Sequence, residues 1–313
     1  MLHRNLTTMY KVTSRYSAHE GTIKVEWNLG KRCNYNCSYC PAAIHDNTSP
    51  YTDIKILKAT VDKLLAMGKP IRLSFTGGEP TIHPAFEELI NYCKDRGIMW
   101  ISVTTNGTRK AAWYTNLPID QFVFSVHMEY NFKRVLQSII QVKEKFTGAV
   151  LVHIMAHQSH MQDTRYLASV LAAHTIPHAV RRVRWTTGDH DSFDDMRYEP
   201  TDLAWIKEYE ATVAGNCVID DDPAKIYHAN DIIKLHMNQY KGWACNAGIE
   251  SLMINWDGEV YRATCRVGGS LGNIYNSTID NNIATIICTR NYCTCSADIP
   301  LTKLDVSIRE KLF

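Results

Sequence analysis

The sequence lacks a long hydrophobic run, an excess of charge of one sign, and any internal repeat or low-complexity tract. No apolar stretch approaches the roughly 18 residues of a membrane span, and the amino-terminal MLHRNLTTMYKV has no apolar signal-peptide core. Lys and Arg number 34 against 32 Asp and Glu, so the net charge of +2 argues against nucleic acid or acidic lipid as a partner. These absences predict a soluble, cytoplasmic protein.

Ten cysteines stand out against this ordinary composition. In a reducing compartment, clustered cysteines are more often metal ligands than disulfide partners. Cys93, in the helical pattern ELINYCKDRG, is interpreted as a small core residue, and Cys217 stands alone. The other eight form one group near each end of the chain: Cys33, Cys37 and Cys40, then Cys245, Cys265, Cys288, Cys293 and Cys295.

Strand and helix patterns alternate from residue 22 to about 185. Such βα repetition implies an α/β fold with a parallel sheet, and either a partial six-stranded barrel or an open doubly wound sheet fits it. The predicted strands cover residues 22–29, 71–76, 98–105, 121–127, 148–155 and 178–185. The predicted helices between them cover residues 52–67, 84–96, 130–146 and 162–174.

The second half of the chain has a different pattern. An acidic, turn-rich connector at 186–200 precedes two predicted helices, at 201–214 and 223–240. Residues 251–264 alternate around Asp257-Gly258, which predicts a β-hairpin. The predicted organisation is an amino-terminal segment (1–21), a βα domain (22–185), a connector with helices (186–242) and a small carboxy-terminal domain (243–313).

The first cysteine group is a CxxxCxxC loop, Cys33-Asn34-Tyr35-Asn36-Cys37-Ser38-Tyr39-Cys40, directly after the first predicted strand. Three thiolates on one short loop can hold three corners of a cubane iron–sulfur cluster and leave the fourth iron open to a ligand. A tetrahedral zinc ion would need a fourth protein ligand, for which His45 is the nearest candidate. Cysteines without metal are the remaining alternative.

The second motif, Thr76-Gly77-Gly78-Glu79-Pro80, follows the next predicted strand. Its two glycines allow the backbone to approach a ligand closely, and Glu79 can accept a hydrogen bond from a cationic amine. Read alone, these residues are more typical of a turn than of a ligand site. Their position one βα unit after the cysteine loop strengthens the functional interpretation.

The CxxxCxxC loop, with aromatic Tyr39 before its last cysteine and GGEP one unit later, resembles the radical SAM superfamily. The resemblance implies a partial (β/α)6 barrel over 22–185 and a [4Fe-4S] cluster on Cys33, Cys37 and Cys40, whose open iron binds S-adenosylmethionine (SAM). It implies that a reductant such as flavodoxin or ferredoxin drives SAM cleavage, and that the 5′-deoxyadenosyl radical abstracts hydrogen from a substrate carbon.

The same resemblance implies roles for further residues. Gly77, Gly78 and Glu79 would hold the methionyl ammonium of SAM, and Asn106 lies in a Thr-Asn-Gly segment like that of the family. Ser125 is placed like the polar residue that touches the SAM ribose, and Arg182 or Arg184 has the donor geometry for the SAM carboxylate. For Ser125 and the two arginines, an ordinary strand-end polar residue or a solvated charge explains the sequence equally well.

The second cysteine group surrounds the predicted hairpin. Cys245 and Cys265 stand at its two ends and can share a metal, while Cys293 and Cys295 point the same way in an extended chain. Four thiolates complete one [4Fe-4S] cluster or one zinc ion. The arrangement resembles the Twitch domain, a single-cluster relative of the SPASM extension. Cys245, Cys265, Cys293 and Cys295 are the predicted ligands, with Cys288 in reserve and a structural zinc ribbon as the alternative.

The predicted function is that of a radical SAM enzyme whose auxiliary cluster assists a net oxidation or rearrangement of a small molecule, a nucleotide or sugar, or a peptide. Two alternatives stay open: a non-catalytic iron–sulfur or zinc protein, and an RNA-modifying radical SAM enzyme suggested only by the basic segment 181–184. Four more residues face the predicted barrel interior as substrate ligands or core residues: Glu26, Asn28, His127 and His153.

Overall fold

The computed structural model describes most of the chain and divides it into two compact units. Arg184 and most of the predicted connector 186–200 lie outside the described residues. The first unit comprises the described parts of Met1–Glu26, Lys63–Ile71 and Val213–Phe313, and the second those of Trp27–Asp62 and Arg72–Thr212. The described residues are 9–42, 45–183, 185–186, 193–194, 197–210, 216–279 and 283–307.

The described residues form seventeen strands, most of them short, and seven helices. The strands are β1 (Lys11–Ser14), β2 (Ile23–Asn28), β3 (Ile71–Thr76), β4 (Trp100–Thr105), β5 (Gln121–His127), β6 (Ala149–Ala156), β7 (His178–Arg182), β8 (Trp185–Thr186), β9 (Phe193–Asp194), β10 (Cys217–Ile219), β11 (Ile226–Tyr227), β12 (Ala244–Cys245), β13 (Ser251–Ile254), β14 (Glu259–Tyr261), β15 (Ser270–Asn273), β16 (Ile286–Ile287) and β17 (Lys303–Leu304). The helices are α1 (Ile54–Leu65), α2 (Phe86–Asp95), α3 (Ala111–Thr115), α4 (Phe132–Lys145), α5 (Met161–Ala173), α6 (Pro200–Glu210) and α7 (Ala229–Lys234). Within the described ranges, no helix has the length and apolar character that crossing a membrane would require.

The second unit confirms the predicted α/β fold. Its strands follow the order β3-β4-β5-β6-β7, each parallel to its neighbour, and the last two residues of β2, Trp27 and Asn28, also belong to this unit. Strand β7 lies at an edge, so the described residues form an open sheet and no closed barrel. The last predicted strand was too long: β7 ends at Arg182, and Trp185 belongs to β8, which pairs with β9 instead.

One face of this sheet is apolar and supplies the core. Phe75 on β3 and Phe124 on β5 are fully buried, and each full burial of such a side chain stabilises the fold by roughly 1.5–3 kcal/mol. The Phe75 ring meets Phe86 of α2 at a centroid distance of 5.9 Å, and Tyr114 of α3 packs against Phe124 at 5.1 Å. Cys93 is also fully buried in α2, which confirms its interpretation as a core residue.

The other face of the sheet is polar toward the carboxyl ends of the strands. Thr76, Thr104, Ser125 and His127 alternate with buried apolar residues and are themselves only half-buried. Parallel sheets covered on both faces normally carry apolar residues on both. The alternation therefore indicates that this end of the sheet borders a space meant for a polar ligand or for water.

The first unit contains a six-stranded sheet in the order β11-β10-β1-β17-β12-β16. Its predicted hairpin is confirmed: β13 and β14 are antiparallel, with Met253 opposite Tyr261. The turn between them uses Gly258 at a φ of 87°, a conformation that glycine adopts without strain. The hairpin brings the chain segments on either side of it together.

The predicted helix over 223–240 is wrong, since only Ala229–Lys234 is helical. Strands β10 and β11 pair around an acidic turn in which Asp220 and Asp221 both have positive φ. Ile226 and Tyr227 are therefore in a strand and not in the predicted helix. The short helix cannot continue past His236, whose φ is positive. In the described part of 243–313 the structure consists mainly of strands and turns, and helical residues occur at Val306 and Ser307.

Candidate functional site

A cavity of about 290 Å³ lies at the carboxyl ends of the strands in the second unit. Its volume is near the lower end of the range for ligand pockets, roughly 300–1,000 Å³. Arg182 does not line it, and Arg184 lies outside the described residues. Every other residue predicted for the first cluster and for SAM does line it: Cys33, Cys37, Tyr39, Cys40, Gly77, Gly78, Glu79, Asn106 and Ser125.

The two glycines of the GGEP segment pack against the start of the cysteine loop. Gly78 N–H donates to Gly30 O at 2.8 Å, and Glu79 N–H donates to Arg32 O at 2.9 Å. A Cβ at Gly78 would lie 2.5 Å from Lys31 O and closer still to Arg32 O. The sequence predicted that these glycines admit a ligand, whereas here they admit the backbone that leads into Cys33.

Replacing Gly78 with Ala should therefore separate the two loops. Overpacking of this kind costs about 1–3 kcal/mol, so thermal unfolding should shift downward and iron loading should fall. Gly30→Ala is a matched control, because a Cβ there would have no neighbour closer than 4.0 Å. Equal melting temperatures for the two variants would contradict this role of Gly78.

Glu79 is buried, and its carboxylate joins the GGEP segment to the end of β4. Oε1 accepts hydrogen bonds from the Thr81 backbone and hydroxyl and from the Thr105 hydroxyl, the last at 2.9 Å. Oε2 accepts one, from Asn106 N–H at 2.6 Å. Burial raises the pKa of Glu79, and these hydrogen bonds oppose that rise. Because Oε2 has one protein donor, it retains capacity for a ligand amine.

Asn106 ties the end of β4 to the cysteine loop. Its Nδ2 donates to Asn34 Oδ1 at 2.7 Å, and Asn34 Nδ2 donates to the Thr108 hydroxyl at 3.0 Å. The same Nδ2 lies 4.0 Å from Cys33 Sγ. The Thr-Asn-Gly segment thus positions the first cysteine as well as lining the cavity.

The segment after β5 holds the other side of the cysteine loop, and sequence reasoning missed two of its residues. Glu129 Oε2 accepts from Ser38 N–H at 2.9 Å. The Tyr130 hydroxyl accepts from Asn36 N–H, and its ring stacks on Tyr35 at 3.7 Å between centroids. The only sequence signal for this contact is a carboxylate and an aromatic directly after a strand, which many loops share.

Burial disfavours the charged form of all three loop cysteines. It raises the pKa of Cys33 to about 11 and that of Cys37 to about 12, and it raises the pKa of Cys40. Each thiol is thus protonated at neutral pH in the metal-free protein. Iron must displace these protons, so cluster loading should become easier as pH rises.

The geometry favours a cluster over a zinc ion completed by His45. His45 Nε2 lies 2.7 Å from the Tyr35 carbonyl, which can only accept, so Nε2 carries a hydrogen and Nδ1 is the ring nitrogen left for a metal. Across the described ranges, no three His, Cys, Asp or Glu side chains surround a single ion position. In a cubane each thiolate binds a different iron, which suits donors that do not converge on one point.

The second cysteine group lines a small cavity of about 20 Å³ in the first unit. Four cysteines border it: Cys245, Cys265, Cys288 and Cys293. Cys295, a predicted ligand, does not border it, and a turn follows it in which Asp298 N–H and Ile299 N–H both donate to its carbonyl.

Strand pairing brings Cys288 to this cavity. Strand β16 pairs with β12, so that Ile286 lies opposite Cys245. Cys288 N–H then donates to Trp243 O at 2.8 Å. The β-branched run Thr285-Ile286-Ile287 before Cys288 is a strand signal, although its partner strand could not be read from the sequence.

Three buried polar groups surround these cysteines. Lys303 is 2% exposed and donates to the carbonyls of Asp298, Ile299 and Leu301. Asp298 Oδ2 accepts from Cys265 N–H at 3.2 Å. The fully buried Tyr240 hydroxyl has no hydrogen-bond partner in the described structure, and it lies near the thiols of Cys293, Cys217 and Cys245. A bound group rich in sulfur would give the Tyr240 hydroxyl the hydrogen-bond acceptor that it lacks among these thiols.

Replacing Tyr240 with Phe should affect the metal-free protein and the metal-loaded protein in different ways. Without metal, removing an unsatisfied buried hydroxyl should leave the free energy of unfolding unchanged or raise it by about 1 kcal/mol. With metal, a lost donor to a cluster sulfur should speed iron loss to a chelator. Denaturant unfolding of the metal-free protein and chelator kinetics of the loaded protein check both. Lower stability without metal would contradict this account of the hydroxyl.

The remaining predicted interior residues have protein contacts. His153 Nε2 lies 3.4 Å from an Arg181 nitrogen, and burial together with that charge lowers the pKa of His153 to about 4. In the first unit, Glu26 lies 3.8 Å from Lys24 Nζ. Asn28 lies at the end of β2 and is half-buried.

An open α/β sheet with three thiols and a glycine-rich loop at its carboxyl edge defines the class of site. Residues 27–164 match the sequence model of the radical SAM superfamily, which supports that superfamily for the segment carrying all three motifs. Among known proteins, the Fe-coproporphyrin III synthase of Methanosarcina barkeri is 36% identical over 85 residues, 27% of this chain and 21% of that protein. The S-adenosylmethionine-dependent nucleotide dehydratase of Selenomonas ruminantium is 33% identical over 87 residues, 27% of this chain and 30% of that protein.

The chain thus matches less than a third of the length of these relatives. Solved structures share the fold over a longer stretch. Native anSMEcpe with bound AdoMet has a TM-score of 0.56 at 16% identity, covering 83% of this chain and 79% of that chain. Streptococcus suis SuiB bound to precursor peptide SuiA has a TM-score of 0.55 at 14% identity, covering 82% of this chain and 63% of that chain.

Proposed function

We propose that this protein is a radical SAM enzyme that removes hydrogen from a substrate carbon. The observation that carries the proposal is the shared cavity, in which three loop cysteines, GGEP and Asn106 meet at the carboxyl ends of parallel strands. Ligands of open α/β sheets bind at that edge. The family match over 27–164 supports the same reaction class.

The residues present fit a four-iron cluster with SAM. Cys33, Cys37 and Cys40 would hold three irons, and Glu79 Oε2 and Ser125 border the space beside them. When bound, the cluster supplies an electron to SAM and so generates a carbon-centred radical. Burial of Cys37, with backbone from Gly30 to Arg32 fixed by the GGEP glycines, keeps the loop ordered before iron arrives.

We further propose a second four-iron cluster in a Twitch-like arrangement in the first unit. Its ligands are Cys245, Cys265, Cys288 and Cys293, so Cys288 replaces Cys295 in the ligand set expected from spacing. The four thiols and the unpartnered Tyr240 hydroxyl support this assignment. A cubane is larger than the 20 Å³ cavity, so binding it requires these side chains to move apart.

A second cluster suits a net oxidation, because it can accept the electron left on the substrate after hydrogen abstraction. A flavodoxin- or ferredoxin-type reductant would supply the electron for SAM cleavage. The substrate is a small molecule, a nucleotide or sugar, or a peptide. SuiB has been solved with a precursor peptide, which makes peptides one class to include in a substrate screen.

The test is whether SAM binds an open iron. Dithionite-reduced, anaerobically reconstituted protein should give an electron paramagnetic resonance (EPR) signal that changes when SAM is added. Cys37→Ala should remove the SAM-sensitive signal and leave any second signal intact. A reduced cluster that is insensitive to SAM in the wild-type protein would contradict the proposal.

A further inference from the structure

His127, at the end of β5, is held in place by two aromatic side chains of the cysteine loop. Its ring lies within 18° of parallel to Tyr39 at a centroid distance of 6.0 Å. It meets Tyr35 edge-on at 5.9 Å. The position of its Nδ1 atom is therefore set by packing on two sides.

That Nδ1 atom faces two atoms of the cysteine loop. The Tyr39 hydroxyl oxygen lies 2.6 Å away and Cys37 Sγ 3.4 Å away. In the metal-free protein the thiol of Cys37 can supply one of the shared hydrogens. A cysteine bound to iron is a thiolate with no hydrogen to donate, so only Tyr39 O–H and His127 Nδ1–H remain as donors. A bare Nδ1 lone pair facing a thiolate would be repulsive, which selects the Nδ1–H form. This hydrogen is shared between the Tyr39 oxygen and Cys37 Sγ, and the Tyr39 O–H donates to the same sulfur.

We propose that Tyr39 and His127 donate hydrogen bonds to the sulfur of Cys37 and thereby raise the reduction potential of the cluster on Cys33, Cys37 and Cys40. The inference rests on the proposed function, since it presupposes that cluster. Hydrogen bonds to ligand sulfur stabilise the more negative, reduced state, and they strengthen where water is excluded. Cys37 is only 8% exposed. Both residues act through Cys37 and are positioning residues for the electron transfer.

The other two sulfurs have different surroundings. Cys33 Sγ accepts the backbone N–H of Tyr35 at 3.3 Å, a donor that no side-chain substitution removes, and the Asn106 side-chain nitrogen lies 4.0 Å away. Among the described contacts of the loop, Cys37 is the cysteine whose sulfur lies beside a hydroxyl donor, Tyr39, and an imidazole donor, His127. Substitution can therefore change hydrogen bonding at one corner of the cluster and leave the ligands in place.

A redox titration of the holoenzyme tests the inference. EPR follows reduction, and the signal that SAM perturbs identifies the cluster concerned. Tyr39→Phe and His127→Phe should each lower the equilibrium constant for one-electron reduction about tenfold, which is about 59 mV. His127→Asn places an amide nitrogen near the Nδ1 position and should restore most of the potential. Tyr130→Phe is the matched control, because it removes a hydrogen bond to the Asn36 backbone and none to sulfur.

The outcomes separate the two proposals. A wild-type potential in both Phe variants, with the SAM-perturbed signal present, overturns the inference and leaves the proposed function standing. A fall in potential that Tyr130→Phe reproduces also overturns it, because loop disorder would then be the cause. A wild-type protein without any SAM-perturbed signal removes the proposed function and the inference together. If His127→Phe loads no iron, the potentials of Tyr39→Phe and His127→Asn provide the test. A wild-type potential in Tyr39→Phe then overturns the inference.

Discussion

Replacing Cys33, Cys37 and Cys40 together with Ala should halve the iron content of the reconstituted protein and abolish SAM cleavage. Two cubanes correspond to about eight iron and eight sulfide per chain, of which this variant should retain about four of each. The expected loss is complete for SAM chemistry, because in the described part of the chain the larger cavity is lined by these three cysteines and no other. Iron and sulfide assays on anaerobically reconstituted protein provide the measurement.

Cys93→Ala is a suitable control for this variant. Cys93 is a fully buried core residue of α2, so its loss should lower stability and leave iron content per folded chain unchanged. Wild-type protein that binds only zinc after anaerobic reconstitution would contradict the cluster assignment altogether.

Replacing Cys288 with Ser should remove the second cluster, whereas replacing Cys295 with Ser should leave it in place. Cys288 borders the small cavity together with Cys245, Cys265 and Cys293, and Cys295 does not. Losing one of four thiolate ligands opens the cluster to solvent, so about four iron should disappear from the Cys288 variant. Iron content and the SAM-insensitive EPR signal show whether each variant retains the second cluster.

The converse result would be equally clear. If Cys295→Ser removes the second cluster and Cys288→Ser retains it, the ligand set expected from spacing is right and the one drawn from the cavity is wrong. SAM cleavage in the presence of dithionite should survive in both variants, because Cys33, Cys37 and Cys40, the proposed ligands of the SAM-binding cluster, belong to the other compact unit.

Local patterns were enough to predict the parallel strands and the hairpin. In β3 and β5, alternate apolar residues are buried, and period-two patterning shows this directly in the sequence. The prediction of one helix over 223–240 was wrong because the apolar residues there belong first to a strand pair and then to a short helix. The two-residue strands β12 and β16 exist only through pairing with distant partners, which no local pattern reveals.

The first site could be predicted because its residues follow each other on consecutive strand–loop units. Parallel strands place such loops at one edge, so Cys33 and Glu79 meet whatever the exact strand lengths. The contacts of Glu129 and Tyr130 with the cysteine loop could not be predicted, because they depend on where two loops touch and both residue types are common in loops. The preference for Cys288 over Cys295 depends on which side chains border the small cavity, and the pairing of β16 with β12 that places Cys288 there cannot be read from spacing.

The most direct test of the central claim is the release of 5′-deoxyadenosine. Wild-type protein, reconstituted anaerobically and incubated with dithionite and SAM, should release 5′-deoxyadenosine and methionine, measured by liquid chromatography and mass spectrometry. Cys37→Ala should release none above the protein-free background. A wild-type protein that carries iron on the Cys33–Cys40 loop and binds SAM, yet releases no more 5′-deoxyadenosine than Cys37→Ala, would contradict the account.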